Sequence, residues 1–299
     1  MTALTDTTLA FRCVACAKPL TLPEGEGTLS CACGQPYTYR PGHLSYPFDA
    51  LLYRRFRKQF LLNKVLSNNG YISYQTLKEG SLSLPDRPDV AQFREFIRAH
   101  AAEGRLLDVG CGMLELPGYL DFGADGPRFE LVGLDPIADG DFRGLRIVGC
   151  SEFMPFADAS FETLVYGTSL DHVCSLEQTL RESHRVLKPS GRLLIWMGDR
   201  HETPYLRVRL MLSRLKGWLH HRFRTEGVDY PYRDGRFVIY PNYQVFYVPH
   251  GAPDPYHAYR ESPKKLVRMM RRAGFDLVEM KAHNKDLVLL CLERREVKR

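Results

Sequence analysis

From residue 105 onward, short apolar runs alternate with helical patterns: Leu106-Leu107-Asp108-Val109-Gly110, then Leu131-Val132-Gly133-Leu134-Asp135, then Leu145-Arg146-Ile147-Val148-Gly149, then FETLVYG at 161–167 and LLIWMGD at 193–199. Five such runs with intervening helices predict a doubly wound α/β domain around a mostly parallel sheet. Residues 263–273 read as a further helix, and the apolar runs at 275–279 and 286–293, split by His283-Asn284-Lys285, predict a closing hairpin. Upstream, 48–67 (FDALLYRRFRKQFLLNKVLS) alternates apolar and basic residues at helical spacing and reads as a linker helix. A Gly-, Ser- and Pro-rich loop at 80–88 precedes an amphipathic segment at 90–102, whose Phe93, Phe96, Ile97 and Ala101 share one face. Residues 200–262 break the rhythm. At about sixty residues they far exceed the usual connection of roughly two to six, so they read as an insertion.

Composition narrows the class only a little. The chain has 299 residues, 44% of them hydrophobic, enough for one large domain with a small appendage. It contains no apolar run of eighteen residues, and the start MTALTDTTLA lacks the basic and apolar regions of a secretory signal, so a cytoplasmic location is expected. A net charge of +6 suits an acidic small molecule, a nucleic acid or an anionic membrane surface without selecting among them.

The first chemical signal is Asp108-Val109-Gly110-Cys111-Gly112, a strand running into a glycine turn where missing β-carbons let a ligand approach the backbone. The second is Asp135, which ends the next strand 27 positions after Asp108 and is placed to accept both ribose hydroxyls of an adenosine ligand. With these in place, the segments LLDVGCG, LVGLDP, MPFADASFETLVYG and LRESHRVLKPSGRLLIW resemble the class I S-adenosylmethionine methyltransferases, from Arg105 to the end of the chain. The resemblance implies a Rossmann-like sheet of seven strands, the seventh antiparallel between the fifth and sixth and supplied by the terminal hairpin. It implies that Gly110 and Gly112 make room for the methionine part and ribose, that Asp108 braces their turn, and that Asp135 holds the ribose. Ser151 and Glu152 match the segment lining the adenine, and Thr168 joins the cofactor-facing set after the fourth strand. Two positions depart from the family pattern: Cys150 stands where an acid often accepts from the adenine amino group, and Met113-Leu114 replaces a third glycine.

A base is needed only if the methyl acceptor is protonated. His172, following the fourth strand beside the expected methyl group, is the first candidate; Asp171 is placed to fix its tautomer, and His257 in the insertion is the second. His201 and His250 are weaker candidates. The bland alternative is that Asp171 and His172 only cap the loop.

Of the eight cysteines, four cluster as Cys13-x-x-Cys16 and Cys31-x-Cys33, the number of thiolates that a closed tetrahedral zinc site requires. The segment resembles the small zinc ribbons that precede some methyltransferase domains, including large-subunit ribosomal RNA guanine methyltransferases, with a second pair one residue short of C-x-x-C. The expected organisation is a zinc ribbon at 1–45, a helical linker at 46–90, and the methyltransferase domain at 91–299 with a substrate lid at 200–262.

The insertion's 200–224 carries seven Lys or Arg against one acid and precedes an aromatic stretch at 230–247. It reads as a lid for an anionic or amphipathic small-molecule acceptor, or as a peripheral membrane contact through 204–224. Three function classes follow: a small-molecule methyltransferase, favoured; a ribosomal RNA base methyltransferase using the ribbon for RNA; and a non-catalytic cofactor-binding protein. The ribbon speaks against RNA, since 11–40 has three Lys or Arg against two Glu.

Overall fold

A computed structural model describes residues 9–76, 87–124, 126–138, 140, 142–198, 228–232, 235–239, 245–249, 262–284 and 287–296. The apolar runs become strands β6 (Gly104–Val109), β7 (Phe129–Asp135), β8 (Leu145–Val148), β9 (Phe161–Gly167) and β10 (Leu187–Met197), and the terminal hairpin becomes β14 (Phe275–Ala282) and β15 (Val288–Arg294). They order as β14-β15-β10-β9-β6-β7-β8, parallel except for β15, which runs antiparallel to both neighbours. The expected hairpin therefore does insert its last strand beside the fifth.

The two faces of β10 show why this sheet is buried on both sides. Leu193 and Ile195 join one core with Leu290, Leu292 and Met270, while the alternate Leu194 and Trp196 join another with Leu289 and Cys291. The second face is covered by α2 (Pro88–His100), whose Val90, Phe93, Phe96 and Ile97 are buried, each contributing about 1.5–3 kcal/mol. The first is covered by α3 (Leu176–Val186), N-capped by Ser175, and α4 (Pro263–Arg272), N-capped by Ser262.

The expectation of helices between all the runs needs correction. Among the described residues, the connections from β6 through β9 hold no α-helix, only a 3-10 turn at Gly118–Leu120. Pro117, Gly118 and Pro127 break the first connection, and the next two, at 136–144 and 149–160, are short and carry Pro136 and Pro155. The cover comes instead from the N-terminal segment, whose Cys13, Leu20, Tyr37, Leu44 and Tyr46 enter the same core as Met154 and Phe156.

That segment forms β1 (Phe11–Arg12), β2 (Pro19–Leu20), β3 (Gly27–Ser30), β4 (Pro36–Arg40) and β5 (His43–Ser45). β5 pairs in parallel with β8, so β5-β4-β3 extends the main sheet to ten strands. Helix α1 (Phe48–Thr76), kinked at Phe56, packs Leu52 and Phe60 on Cys150 and Cys174 in the loops after β8 and β9. The helix read as a linker thus lies over the sheet's carboxyl edge. Of the insertion, the described part is an antiparallel sheet of β11 (Val228–Tyr232), β12 (Gly235–Ile239) and β13 (Val245–Pro249), with β13 against α1. No helix of the described residues is long and apolar enough to cross a membrane.

Candidate cofactor site and cysteine cluster

β6 and β7 are neighbours, so the glycine turn and Asp135 meet at their carboxyl ends. Gly110 and Gly112 adopt φ of 85° and 70°, which L side chains rarely do. A Cβ on Gly110 would lie 2.3 Å from the Ser169 Cβ, whose hydroxyl donates to the Val109 carbonyl. At Gly112 a Cβ would meet nothing within 4 Å, so open space lies above the turn, as a backbone-hugging ligand requires. The Asp135 carboxylate accepts from the Gly112 N–H and the Ile137 N–H, both at 2.8 Å. Burial pushes its carboxyl above the ordinary range, opposed by these two N–H groups and by the charge of Arg146.

Arg146, on β8, was missed by sequence reasoning. It is buried and donates to the Gly112 carbonyl and the Ile137 carbonyl, both at 2.9 Å, so one guanidinium ties the glycine turn to the Asp135 loop. An arginine inside an apolar strand (Leu-Arg-Ile-Val) was the available signal.

Asp108 lies beneath the turn, fully buried, with the Tyr119 hydroxyl 3.1 and 3.0 Å from its two oxygens. Burial pushes its pKa up to about 8, with the Asp135 charge adding and the Tyr119 hydrogen bond opposing. The folded protein then keeps a proton between about pH 4 and 8 that the unfolded chain releases. Asp108 is therefore expected to lower stability as pH rises through that window, by at most about 1.4 kcal/mol per pH unit. Asp108→Asn, which mimics the protonated acid, should flatten this decline in melting temperatures measured from pH 5 to 8; an unchanged slope would refute the assignment.

Ser151 and Glu152 turn toward their own chain. Ser151 Oγ lies 3.0 Å from Thr179 Oγ1, and Glu152 accepts from the Cys174 and Ser175 N–H groups at 2.5 and 3.0 Å, which fixes the entry to α3. Thr168, with φ of 59°, donates its N–H to Trp196 O at 3.1 Å. Asp171 and His172 sit in a 3-10 turn after β9, half exposed, with Nε2 to Oδ1 at 3.6 Å, an ion-pair separation beyond hydrogen-bond range. The Asn63 side chain of α1 donates to the His172 carbonyl. His201, His250 and His257 lie outside the described residues, as do the basic run 200–224 and its proposed membrane face.

The four clustered cysteines come together, all Sγ atoms within 4.8 Å of one another. Cys13 to Cys33 is 3.6 Å and Cys16 to Cys31 is 3.5 Å. Tetrahedral coordination with metal–sulfur bonds of about 2.3 Å needs sulfurs about 3.8 Å apart, so the shortened second pair does not spoil the fit. Tyr37 donates to Cys13 Sγ at 3.3 Å, the kind of outer contact that orients a thiolate ligand. Although burial opposes ionisation, this hydrogen bond and others from the Ala15 and Cys16 backbone hold the Cys13 thiol below its ordinary pKa.

Residues 107–195 match the family described as a methyltransferase domain. The demethylmenaquinone methyltransferase of Symbiobacterium thermophilum is 33% identical over 117 residues, 34% of this chain and 46% of that protein. That of Thermotoga maritima is 25% identical over 193 residues, 58% of this chain and 70% of that protein. The chain spans about half the length of the first of the curated relatives it matches. Among solved structures, the 1,6-didemethyltoxoflavin-N1-methyltransferase of Burkholderia thailandensis aligns over 91% of this chain and 100% of its own at 12% identity, with a TM-score of 0.47. The sheet, which places its last strand antiparallel between the fifth and sixth, has the strand order of the class I methyltransferase fold, and residues 107–195 of this chain match a methyltransferase domain.

Proposed function

We propose that the chain transfers a methyl group from S-adenosylmethionine to an O, N or C nucleophile of a small, anionic or amphipathic molecule. The observation that carries this reading is the open, positive-φ glycine turn meeting the Asp135 carboxylate at the carboxyl ends of β6 and β7. When bound, the cofactor supplies an already activated methyl group, so the chain's tasks are to align the acceptor and exclude water. Asp135 would accept the ribose hydroxyls on lone pairs left over from its two N–H partners. Gly110 and Gly112 would admit the ribose and methionine part, Asp108 would brace them, and Ser151, Glu152 and Thr168 would lie in the loops around the adenine and methyl ends. The names of the curated relatives, which specify demethylmenaquinone, fit an amphipathic acceptor. The four N-terminal cysteines would hold a structural zinc, with no position left open for chemistry.

Labelled cofactor incubated with fractionated cell extract tests the reading: label should enter small molecules and survive nuclease treatment. Label released by nuclease would overturn it in favour of RNA.

His172 is proposed to orient or deprotonate the acceptor, with Asp171 beside it. His172→Ala should lower kcat by about a hundredfold or more while leaving S-adenosylhomocysteine affinity unchanged. Full turnover of the variant on the true acceptor would remove that role.

A further inference from the structure

The N-terminal unit reaches the cofactor edge through one side chain. Tyr46 is buried, and its hydroxyl accepts from the Cys150 N–H at 3.1 Å and donates to the Phe153 carbonyl at 2.5 Å. Gly149 leaves room for it: a Cβ there would lie 2.5 Å from the Tyr46 ring. The Tyr46 ring is 6.0 Å from that of Tyr37, whose hydroxyl donates to Cys13 Sγ at 3.3 Å and accepts from the Val14 N–H at 2.8 Å. Contacts therefore run unbroken from the cysteine cluster to residues 149–153.

That segment borders the cofactor edge. β8 lies beside β7, and the residue after β8 is tied to the Asp135 end of the site, with the Gly149 N–H donating to the Asp135 main-chain carbonyl at 3.0 Å. Just beyond that segment the chain is held by β1 and the residue before it, with the Arg12 N–H on Pro155 O at 3.0 Å and the Ala157 N–H on Ala10 O at 2.9 Å. Cys150 offers no carboxylate here, and its side chain is buried against Leu52 and Phe60. The two residues that Tyr46 holds, Cys150 and Phe153, bracket Ser151 and Glu152, so Tyr46 sets the main-chain path between them.

We propose that Tyr46 is a positioning residue for the cofactor, and that metal binding by Cys13, Cys16, Cys31 and Cys33 is thermodynamically linked to cofactor binding through Tyr37 and Tyr46. The inference rests on the proposed S-adenosylmethionine site. Linkage is reciprocal: if the metal tightens the cofactor, the cofactor tightens the metal by the same factor.

The test uses the full chain with its zinc. S-adenosylhomocysteine affinity is measured by calorimetry, and zinc affinity by equilibrium competition with a chelator, with and without S-adenosylhomocysteine. In wild type, zinc should be held several-fold more tightly when S-adenosylhomocysteine is present. Tyr46→Phe should retain one zinc, weaken S-adenosylhomocysteine about tenfold, raise KM for the cofactor with kcat at saturation unchanged, and lose the reciprocal effect on zinc. Tyr37→Phe, which leaves the Tyr46 contacts in place, should lose the reciprocal effect too. Zinc affinity indifferent to S-adenosylhomocysteine in wild type, absence of zinc from gently purified protein, or unchanged ligand affinity in folded Tyr46→Phe overturns the proposal. Should Tyr46→Phe fail to fold, the wild-type zinc competition and Tyr37→Phe decide alone. Failure of wild type to bind S-adenosylhomocysteine at all is a different result, which removes the cofactor reading itself.

Discussion

Asp135→Ala should weaken S-adenosylhomocysteine binding by about a hundredfold or more. In the proposed site, two hydrogen bonds from ribose hydroxyls to a buried carboxylate would be lost, each worth about 1.5–3 kcal/mol. The substitution also frees the Gly112 and Ile137 N–H groups that Asp135 holds at 2.8 Å, so the turn loses an anchor together with the ligand. Arg146 keeps its hold on the Gly112 and Ile137 carbonyls, which should preserve the turn well enough for the variant to fold. Asp135→Asn, which keeps one acceptor oxygen, should fall between the two. Calorimetry on variants whose far-ultraviolet dichroism matches wild type checks this; an Asp135→Ala affinity within about threefold of wild type would remove Asp135 from the ribose site. Because binding requires the ionised carboxylate and burial raises its pKa, wild-type affinity should begin to fall on acidification at a pH above the ordinary carboxylate range.

The parts of this site that were legible in the sequence are those made by local rules. A glycine turn, an acid at the next strand end and period-two apolar runs are short-range patterns, and β6, β7 and the β14–β15 hairpin follow directly from them. What stayed hidden depends on contacts distant in sequence. Nothing in His43-Leu44-Ser45 indicates that it pairs with 146–148, a hundred residues on, because edge pairing is a matter of backbone availability. Helix α1 was read correctly as a helix, but the partners of Leu52 and Phe60, Cys150 and Cys174, lie in loops whose closure the sequence does not specify. The missing crossover helices had a visible cause in Pro117, Gly118, Pro136 and Pro155, which the general α/β rhythm obscured. Ser151 and Glu152 carry the family's position, yet their side chains serve the α3 entry, a role that requires knowing where Cys174 and Ser175 fall.

Loss of the proposed zinc should have the largest effect on stability. The N-terminal unit is built of strands of two to five residues, and it contributes only Cys13, Leu20, Cys31, Tyr37, Leu44 and Tyr46 as buried apolar side chains to the core it shares with the main sheet. A structural zinc contributes on the order of 10 kcal/mol to such a unit, more than this burial supplies after the entropy of ordering is subtracted. The Cys13→Ser/Cys16→Ser variant should therefore unfold residues 9–46 rather than loosen them. Because β5 pairs with β8, the damage should spread: the Arg146 N–H loses the Gly42 carbonyl, and β8 becomes an open edge carrying the apolar Ile147 and Val148. Such an edge invites intermolecular pairing, so the variant should aggregate on mild heating. Hydrogen exchange should show protection lost together at 43–45 and 145–148 and retained in β14 and β15 at the opposite side of the sheet. Wild-type protection at 43–45 in the double variant would defeat the structural metal. Protection lost at 43–45 but kept at 145–148 would show that β8 holds its place without the strand beside it.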